Sequence, residues 1–166
     1  MRPTTKLRQI MAEKKTIIKP GTYDAMSAKI MEICGFKAIG ISGYSISVTY
    51  LGKPDLGFVS LTELAAICRN IASTVSIPVI ADADTGFGNA INVLYTTDLL
   101  IKTGIAAFHI EDQEFPKRCG HVGGKKVIAT EEMVGKIKAA AKVRDEMDKD
   151  FVIIARSDVR GVRNGT

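Results

Sequence analysis

The stretch Pro78-Val79-Ile80-Ala81-Asp82-Ala83-Asp84-Thr85-Gly86-Phe87-Gly88-Asn89 decides how the chain is read. A short, mainly apolar run, Pro78–Ala83, takes in Asp82 near its end and is followed by Asp84 and a glycine-rich turn. A run of that kind predicts a strand covered on both faces, as in a parallel sheet with helices outside it. Four further runs have the same character: Thr16–Lys19, Ala38–Ser42, Ala106–Ile110 and Phe151–Ala155. Between them lie segments of helical period, Tyr23–Ile33, Leu61–Thr74, Ala90–Thr103 and Glu131–Met147, and a first helix is expected over Thr4–Lys14. Ser60 with Glu63 three residues on reads as a capping box, and Thr130 before Glu131 and Glu132 as a helix start. Gly35 and Gly104 stand where helices end.

The order is therefore β-α-β-α with five strands, an α/β protein read as a single domain over residues 1–166. Two architectures fit. One is an open, doubly wound sheet, which suits five units in about 160 residues; the other is the first part of a TIM barrel, usually about 250 residues long. Pattern and length alone favour the open sheet. Both folds bind ligands at the carboxyl ends of their strands.

Composition narrows the function. The chain has 166 residues, 46% apolar and 25% charged, with three cysteines and no tryptophan. That is ordinary globular composition, too cysteine-poor for a disulfide scaffold. No uninterrupted apolar segment approaches a membrane span, and the first residues lack the apolar core of a signal peptide, so a reducing cytoplasm is the expected compartment. The net charge of +5 is uneven: residues 1–112 carry 11 basic and 10 acidic side chains, residues 113–166 carry 12 and 8. With few aromatics and no zinc-finger or basic-helix pattern, the excess fits a small anionic ligand better than nucleic acid.

The strand ends carry the chemistry. Asp82 and Asp84 are two apart, so on a regular strand they share a face, roughly 7 Å apart at the backbone. Crowded carboxylates invite a cation, and all-oxygen ligands suit Mg²⁺ or Mn²⁺; the alternative is an aspartate cap before the Thr85–Gly88 turn. Glu111 and Asp112 end the next strand. His109 reads as a packed or hydrogen-bonded histidine rather than a ligand. Arg156 and Asp158 end the fifth strand, where the arginine either pairs with its neighbour or grips a carboxylate through two hydrogen bonds. Phe115 to Lys126 form a long, cationic, glycine-rich loop able to act as a lid. In it Cys119 lies among Lys117, Arg118 and His121, whose positive charge favours the thiolate; an inert cysteine in an anion-binding loop is the alternative. Cys34 and Cys68 read as core packing. Ser42-Gly43-Tyr44-Ser45 offers N–H and hydroxyl groups to a carboxylate, and Pro54-Asp55-Leu56-Gly57, read alone, is a turn.

Taken together, SGYS, LGKPDLG, ADADTGFGN, IEDQ, PKRCGH and ARSD resemble, in this order, the isocitrate lyase/phosphoenolpyruvate mutase superfamily. The resemblance runs from about Leu7 to Asp158 and is strongest to its 2-methylisocitrate lyase and 2,3-dimethylmalate lyase branch; the KRCGH loop speaks against a phosphonate mutase. It implies a (β/α)8 TIM barrel, of which this chain holds about the first five βα units, and so reverses the preference for an open sheet. It implies Mg²⁺ (or Mn²⁺) dependence, cleavage of a carbon–carbon bond in a 2-hydroxy di- or tricarboxylate, and a homo-oligomer, tetrameric by the same resemblance, with neither nucleic acid nor membrane as partner. Asp84 would bind the metal directly, with Asp82, Asp55 and Glu111 around it. Ser42, Gly43 and Tyr44 would bind the keto-acid part and Arg156 its carboxylate. Cys119 would move the proton, and Lys117, Arg118, Gly120 and His121 would hold the other carboxylate. The sequence departs from the pattern in length, in Ser157 where many relatives have threonine, and in Tyr44 where methylisocitrate lyases often have glycine. The expectation is a fragment of a longer enzyme or an arc completed by another chain, with Gly161–Thr166 lying inside a βα loop.

Overall fold

The computed structural model describes residues 1–163. Five strands, β1 (Gly21–Thr22), β2 (Ile39–Ile41), β3 (Val79–Asp82), β4 (Ala107–Glu111) and β5 (Val152–Arg156), form one sheet. Their order is β1-β2-β3-β4-β5 and every pair is parallel. A doubly wound sheet reverses its direction of growth once; this sheet never does, so each crossover lays its helix on the same side and the sheet curls as a barrel wall. The open architecture that pattern and length favour is thereby corrected. Hydrophobic period counts βα units but carries no information on the order in which strands pair.

Among the described residues seven helices accompany the strands: α1 (Pro3–Ala12), α2 (Ala25–Ile33), α3 (Gly43–Leu51), α4 (Leu61–Thr74), α5 (Ala90–Ile101), α6 (Thr130–Met147) and α7 (Val159–Arg163). Among them α2, α4, α5 and α6 pack each against the next outside the sheet. The capping box of α4 forms as read, with Ser60 and Glu63 exchanging hydrogen bonds. A second capping box, Asn89 with Asn92, starts α5. Helix α6 begins one residue earlier than expected: Ala129 is its cap and Thr130 its first residue, with no side-chain cap. The expected strand at Thr16–Lys19 is displaced to Gly21–Thr22, because Pro20 cannot donate to a ladder and pairing starts beyond it. Of the tail read as loop, residues 161–163 lie in α7 and residues 164–166 lie outside the described residues.

The two faces of the sheet separate structure from chemistry. Val79 and Ala81 of β3 and Phe108 and Ile110 of β4 face the helices, in one core with Leu64, Ile71, Val93, Leu100 and Phe151. Phe108 and Phe151 meet edge to face at 5.5 Å. The alternate residues, Ile80, Ala107 and Val152, form a second, smaller core on the concave face with Leu7. Helix α1 plugs that end, tied to the α6–β5 turn by Arg2 and Thr4 on Asp148 and by Thr5 on Asp150. Along the same face Asp82 and His109 come two residues beyond Ile80 and Ala107, and Glu111 and Arg156 four beyond Ala107 and Val152, in register as Asp82 beside His109 and Glu111 beside Arg156. The edge strand β5 is not covered on both faces as expected; Ile154 is 38% exposed.

Candidate active site

The polar end of the concave face holds two linked clusters. The first surrounds Lys117, whose side chain is only 3% exposed. Its Nζ stands 2.5 Å from Asp55 Oδ1 and 2.7 Å from Asp84 Oδ1. Asp55 reaches this point from the Pro54–Gly57 turn, so the residue that reads alone as part of a turn is buried and paired. Asp84 does not continue the strand alternation: its φ is +46°, a left-handed conformation that turns its N–H onto Asp82 Oδ1 at 3.1 Å. Asp82 in turn lies 3.4 Å from His109 Nδ1, so the imidazole is the polar neighbour of this carboxylate across the β3–β4 pair. A methyl group on Gly43 would meet Asp82 Oδ2 at 3.1 Å and Asp84 Oδ1 at 3.4 Å, so glycine lets the start of α3 abut both carboxylates.

The second cluster surrounds Arg156. Its guanidinium binds Asp158 through both oxygens at 3.0 Å and Glu111 Oε2 at 3.1 Å. The pairing with Asp158 is therefore present, and the arginine still borders the cleft. Burial pushes the Glu111 carboxyl up to about 7, although the Arg156 charge pulls it down. Within the first cluster, burial and the charge of Asp82 push Asp84 up against the pull of Lys117. Burial also works to raise Asp82, but His109, Lys117 and the Asp84 N–H outweigh it and hold that carboxyl low. Burial works against the Lys117 ammonium, and Asp84 and Asp55 more than offset it, so the amine stays protonated.

A cavity of about 320 Å³ opens between the clusters. Ser42, Tyr44, Asp55, Asp82, Glu111, Lys117, Arg118, Cys119, Gly120, His121 and Arg156 line it. Of the residues that the resemblance assigns to the site, all but Gly43 and Asp84 lie in its wall, and both of these adjoin Asp82, Gly43 by close approach and Asp84 through its N–H. A larger, mainly apolar hollow of about 1190 Å³ adjoins it, sharing Tyr44, Lys117 and Cys119 and walled by Val48, Leu56 and Phe58. The cationic loop is stitched at its neck by the Gln113–Val127 bridge and the Glu114 N–H to Lys126 carbonyl bond. Its inner part folds back so that a methyl group on Gly120 would collide with the Arg156 guanidinium.

Several expectations change. The expected helical segments omit α3: Ser42 caps it, accepting the Ser45 N–H at 3.2 Å, and Gly43 and Tyr44 are its first residues. Cys68 is buried, its thiol pushed up to about 12 by burial, but Cys34 is the exposed end residue of α2, not core. The reading of Glu111 beside Asp82 and Asp84 as ligands also needs refinement. Among the described residues no three His, Cys, Asp or Glu side chains converge on one point, and Glu111 is engaged by Arg156 and Gln113. Gln113 is a site residue that the reading of the strand ends passed over. Its signal was its place two residues after Glu111, on the same face of β4 extended.

The residues present fit a divalent cation. Asp84 Oδ1 is buried and accepts no well-directed hydrogen bond, although the Lys117 ammonium is near it. Asp82 and Asp84 offer hard oxygens on one side, and Mg²⁺ is ordinarily held by one or two carboxylates with water and substrate oxygens completing the shell.

Fold and site together define a member of the phosphoenolpyruvate mutase/isocitrate lyase superfamily, built on a (β/α) barrel with carboxylates, an arginine and a cysteine loop at the carboxyl ends of the strands. The chain belongs to this family: the phosphoenolpyruvate phosphomutase profile matches residues 7–165. It is 46% identical over 160 residues to the 2,3-dimethylmalate lyase of Eubacterium barkeri, covering 96% of this chain and 55% of that protein. It is 48% identical over 158 residues to a chloroplastic carboxyvinyl-carboxyphosphonate phosphorylmutase of Arabidopsis thaliana, covering 94% and 46%. The crystal structure of a 2,3-dimethylmalate lyase superposes with a TM-score of 0.92 at 39% identity, covering 97% of this chain and 54% of that one. A phosphonopyruvate hydrolase complex with oxalate and Mg²⁺ superposes at 0.87 and 38% identity, covering 96% and 53%. The chain thus spans about half the length of the relatives it matches. Among the described residues no helix is long and apolar enough to cross a membrane.

Proposed function

We propose that the chain is the amino-terminal part of the barrel of a Mg²⁺-dependent carbon–carbon lyase, which cleaves a 2-hydroxy di- or tricarboxylate of the 2,3-dimethylmalate or 2-methylisocitrate type. The observation that carries this reading is the single small cavity bordered at once by Asp82, Arg156 and Cys119. A 2-hydroxy dicarboxylate needs a cation site for its hydroxyl and near carboxylate, a guanidinium for a carboxylate, and a proton donor where the new C–H bond forms.

Each role falls on a named side chain. Mg²⁺ (or Mn²⁺) held by Asp84, with Asp82 and Glu111 around it, would supply Lewis acidity to the hydroxyl and carboxylate oxygens of the substrate. Ser42, Gly43 and Tyr44 border the keto-acid end, Asp55 sets Lys117, and Arg156 holds a carboxylate. In the retro-aldol step the hydroxyl proton passes to solvent water, the C–C bond breaks, and its electron pair stays on the departing fragment, delocalised into that fragment's carboxylate. Lys117, Arg118, His121 and the main chain at Gly120 steady this charge. The Cys119 thiol then gives its proton to the carbon and is left as thiolate. The products are pyruvate or a related 2-oxo acid and a carboxylate. The reading carries with it a homo-oligomeric, tetrameric enzyme of the cytoplasm.

The identity to the phosphorylmutase supports a second reading, phosphonate P–C chemistry, and oxaloacetate cleavage belongs to the same site; Cys119 in the wall of the cavity favours the lyase. The test is pyruvate release, coupled to a dehydrogenase, from 2,3-dimethylmalate, 2-methylisocitrate and oxaloacetate, with Mg²⁺, with EDTA and with Cys119→Ser, in this chain and in a longer version of it. The expected result is release from one alkylated substrate that needs both metal and thiol. Turnover indifferent to EDTA would overturn the metal assignment. Binding of Mg²⁺ and a dicarboxylate without turnover in either version would leave a non-catalytic binding barrel.

A further inference from the structure

Gln113 takes no part in the chemistry above, yet it is 1% exposed and sits where β4, β5 and the cationic loop meet. Its Nε2 turns two N–H hydrogens toward three acceptors, Glu111 Oε1 at 2.9 Å, the Arg118 carbonyl at 2.9 Å and Asp158 Oδ2 at 2.7 Å. Its Oε1 accepts the Arg118 N–H at 2.9 Å. The orientation of the amide is not arbitrary: turned over, its oxygen would face two carboxylates and a carbonyl, and its NH₂ would face an N–H.

We propose that Gln113 is a positioning residue for the segment Lys117–Cys119, its amide seating the main chain of Arg118 so that Cys119 stays over the cleft. Gripping both the N–H and the C=O of one residue is what a neighbouring strand does, and Gln113 does it with a side chain. The neck of the loop is closed by main-chain bonds between residues 112–114 and 126–128. Those bonds hold its ends but not its inner part. Two side chains fasten that part to the barrel: Lys117, through its ammonium on Asp55 and Asp84, and Gln113, which holds backbone. Cys119 is the next residue. No close substitute serves. Asparagine is a methylene short, leucine fills the volume without a bond, and glutamate sets a third carboxylate against Glu111 and Asp158.

The importance of holding Cys119 rests on the lyase reading, but the test does not use turnover, so the two can fail separately. The full chain carries its own reference, because Cys34 is exposed and remote from the loop while Cys68 is buried. Alkylation by iodoacetamide, followed residue by residue in digests, gives the ratio of the Cys119 rate to the Cys34 rate. Gln113→Leu is expected to raise that ratio about tenfold or more, the equilibrium worth of the hydrogen bonds that seat Arg118, and Gln113→Glu to raise it as well. A Gln113→Leu chain that keeps its circular dichroism and its cooperative melt while the ratio stays unchanged overturns the proposal. Should that variant not fold, hydrogen exchange in the unsubstituted chain decides. The Arg118 amide is expected to exchange at least about tenfold more slowly than those of Gly123 and Gly124, and an Arg118 amide as fast as theirs overturns it.

Discussion

Lys117→Met removes the positive charge from the centre of the first cluster and replaces it with an apolar chain of similar length. In the folded chain Lys117 is almost fully buried between Asp55 and Asp84, whose side chains are themselves 6% and 13% exposed. Breaking a buried ion pair by deleting one partner costs about 3–5 kcal/mol, because the other charge is left desolvated and unpaired. Two carboxylates lose their counter-charge here, with Asp82 beside them, so the upper part of that range is expected at neutral pH. With a urea m-value of about 2 kcal/mol/M, the unfolding midpoint should fall by about 2 M. The control is a double-mutant cycle. Asp55→Asn in the Lys117→Met background removes one of the stranded charges, so the double variant should be more stable than the sum of the two singles by about 2 kcal/mol. Strictly additive effects, or a Lys117→Met midpoint within experimental scatter of the original, would show that the ammonium is not the counter-ion of this cluster.

Gly86→Ala places a methyl group 2.6 Å from Ile110 Cδ1 and 2.7 Å from Val93 Cγ2 at a residue whose φ is +89°. Overpacking and left-handed strain together should cost about 2–4 kcal/mol in chemical unfolding. Glu32 accepts from Lys29 and from the hydroxyl and N–H of Ser76, bonds that hold its carboxyl down at about 2. A lowered folded pKa stabilises above the unfolded value near 4.5 and is lost as pH falls toward 2, so the roughly 1 kcal/mol advantage over Glu32→Gln at neutral pH should vanish across that window in pH-dependent melts. Mg²⁺ at about 100 times its dissociation constant should stabilise the chain by about 2.7 kcal/mol, with the gain absent in Asp84→Asn; equal gains in both would move the cation away from Asp84.

Much of the fold was legible because it rests on one-dimensional signals. The capping box at Ser60 and Glu63 sets the start of α4, and the continuous runs at Val79 and Ala107 mark strands covered on both faces. What misled was local composition without tertiary context. Gly43–Leu51 shows no amphipathic period that would mark a helix, yet the Ser42 hydroxyl caps one there. Cys34 is flanked by apolar residues and still faces solvent, because the last turn of α2 runs past the edge of the core. The site was legible as chemistry rather than geometry. The acids at 82, 84 and 111 and the arginine at 156 announce strand ends, but that Lys117 lies inside the carboxylate cluster, and not out on a lid, depends on how the loop folds back. Spacing along the chain cannot report that.

Strand order is the step that turns these side chains into a site. In a doubly wound sheet of order 2-1-3-4-5, β2 stands at the edge and β1 lies between it and β3. The start of the helix after β2 would then sit a strand spacing, about 4.8 Å, farther from the β3 aspartates. In the order found here β2 is hydrogen-bonded directly to β3, and Gly43 comes close enough to Asp82 and Asp84 that a single methyl group would touch both. The same consecutive order carries the contact onward: Asp82 lies beside His109 on β4, and Glu111 beside Arg156 on β5. Residues separated by more than a hundred positions along the chain thus form one polar arc on the concave face, bordered by the loop whose inner part Gln113 engages at Arg118. The apolar runs suffice to make a parallel sheet of either kind, but only winding in one direction joins the helix start after β2 to the acids after β3, and that junction makes one half of the cleft.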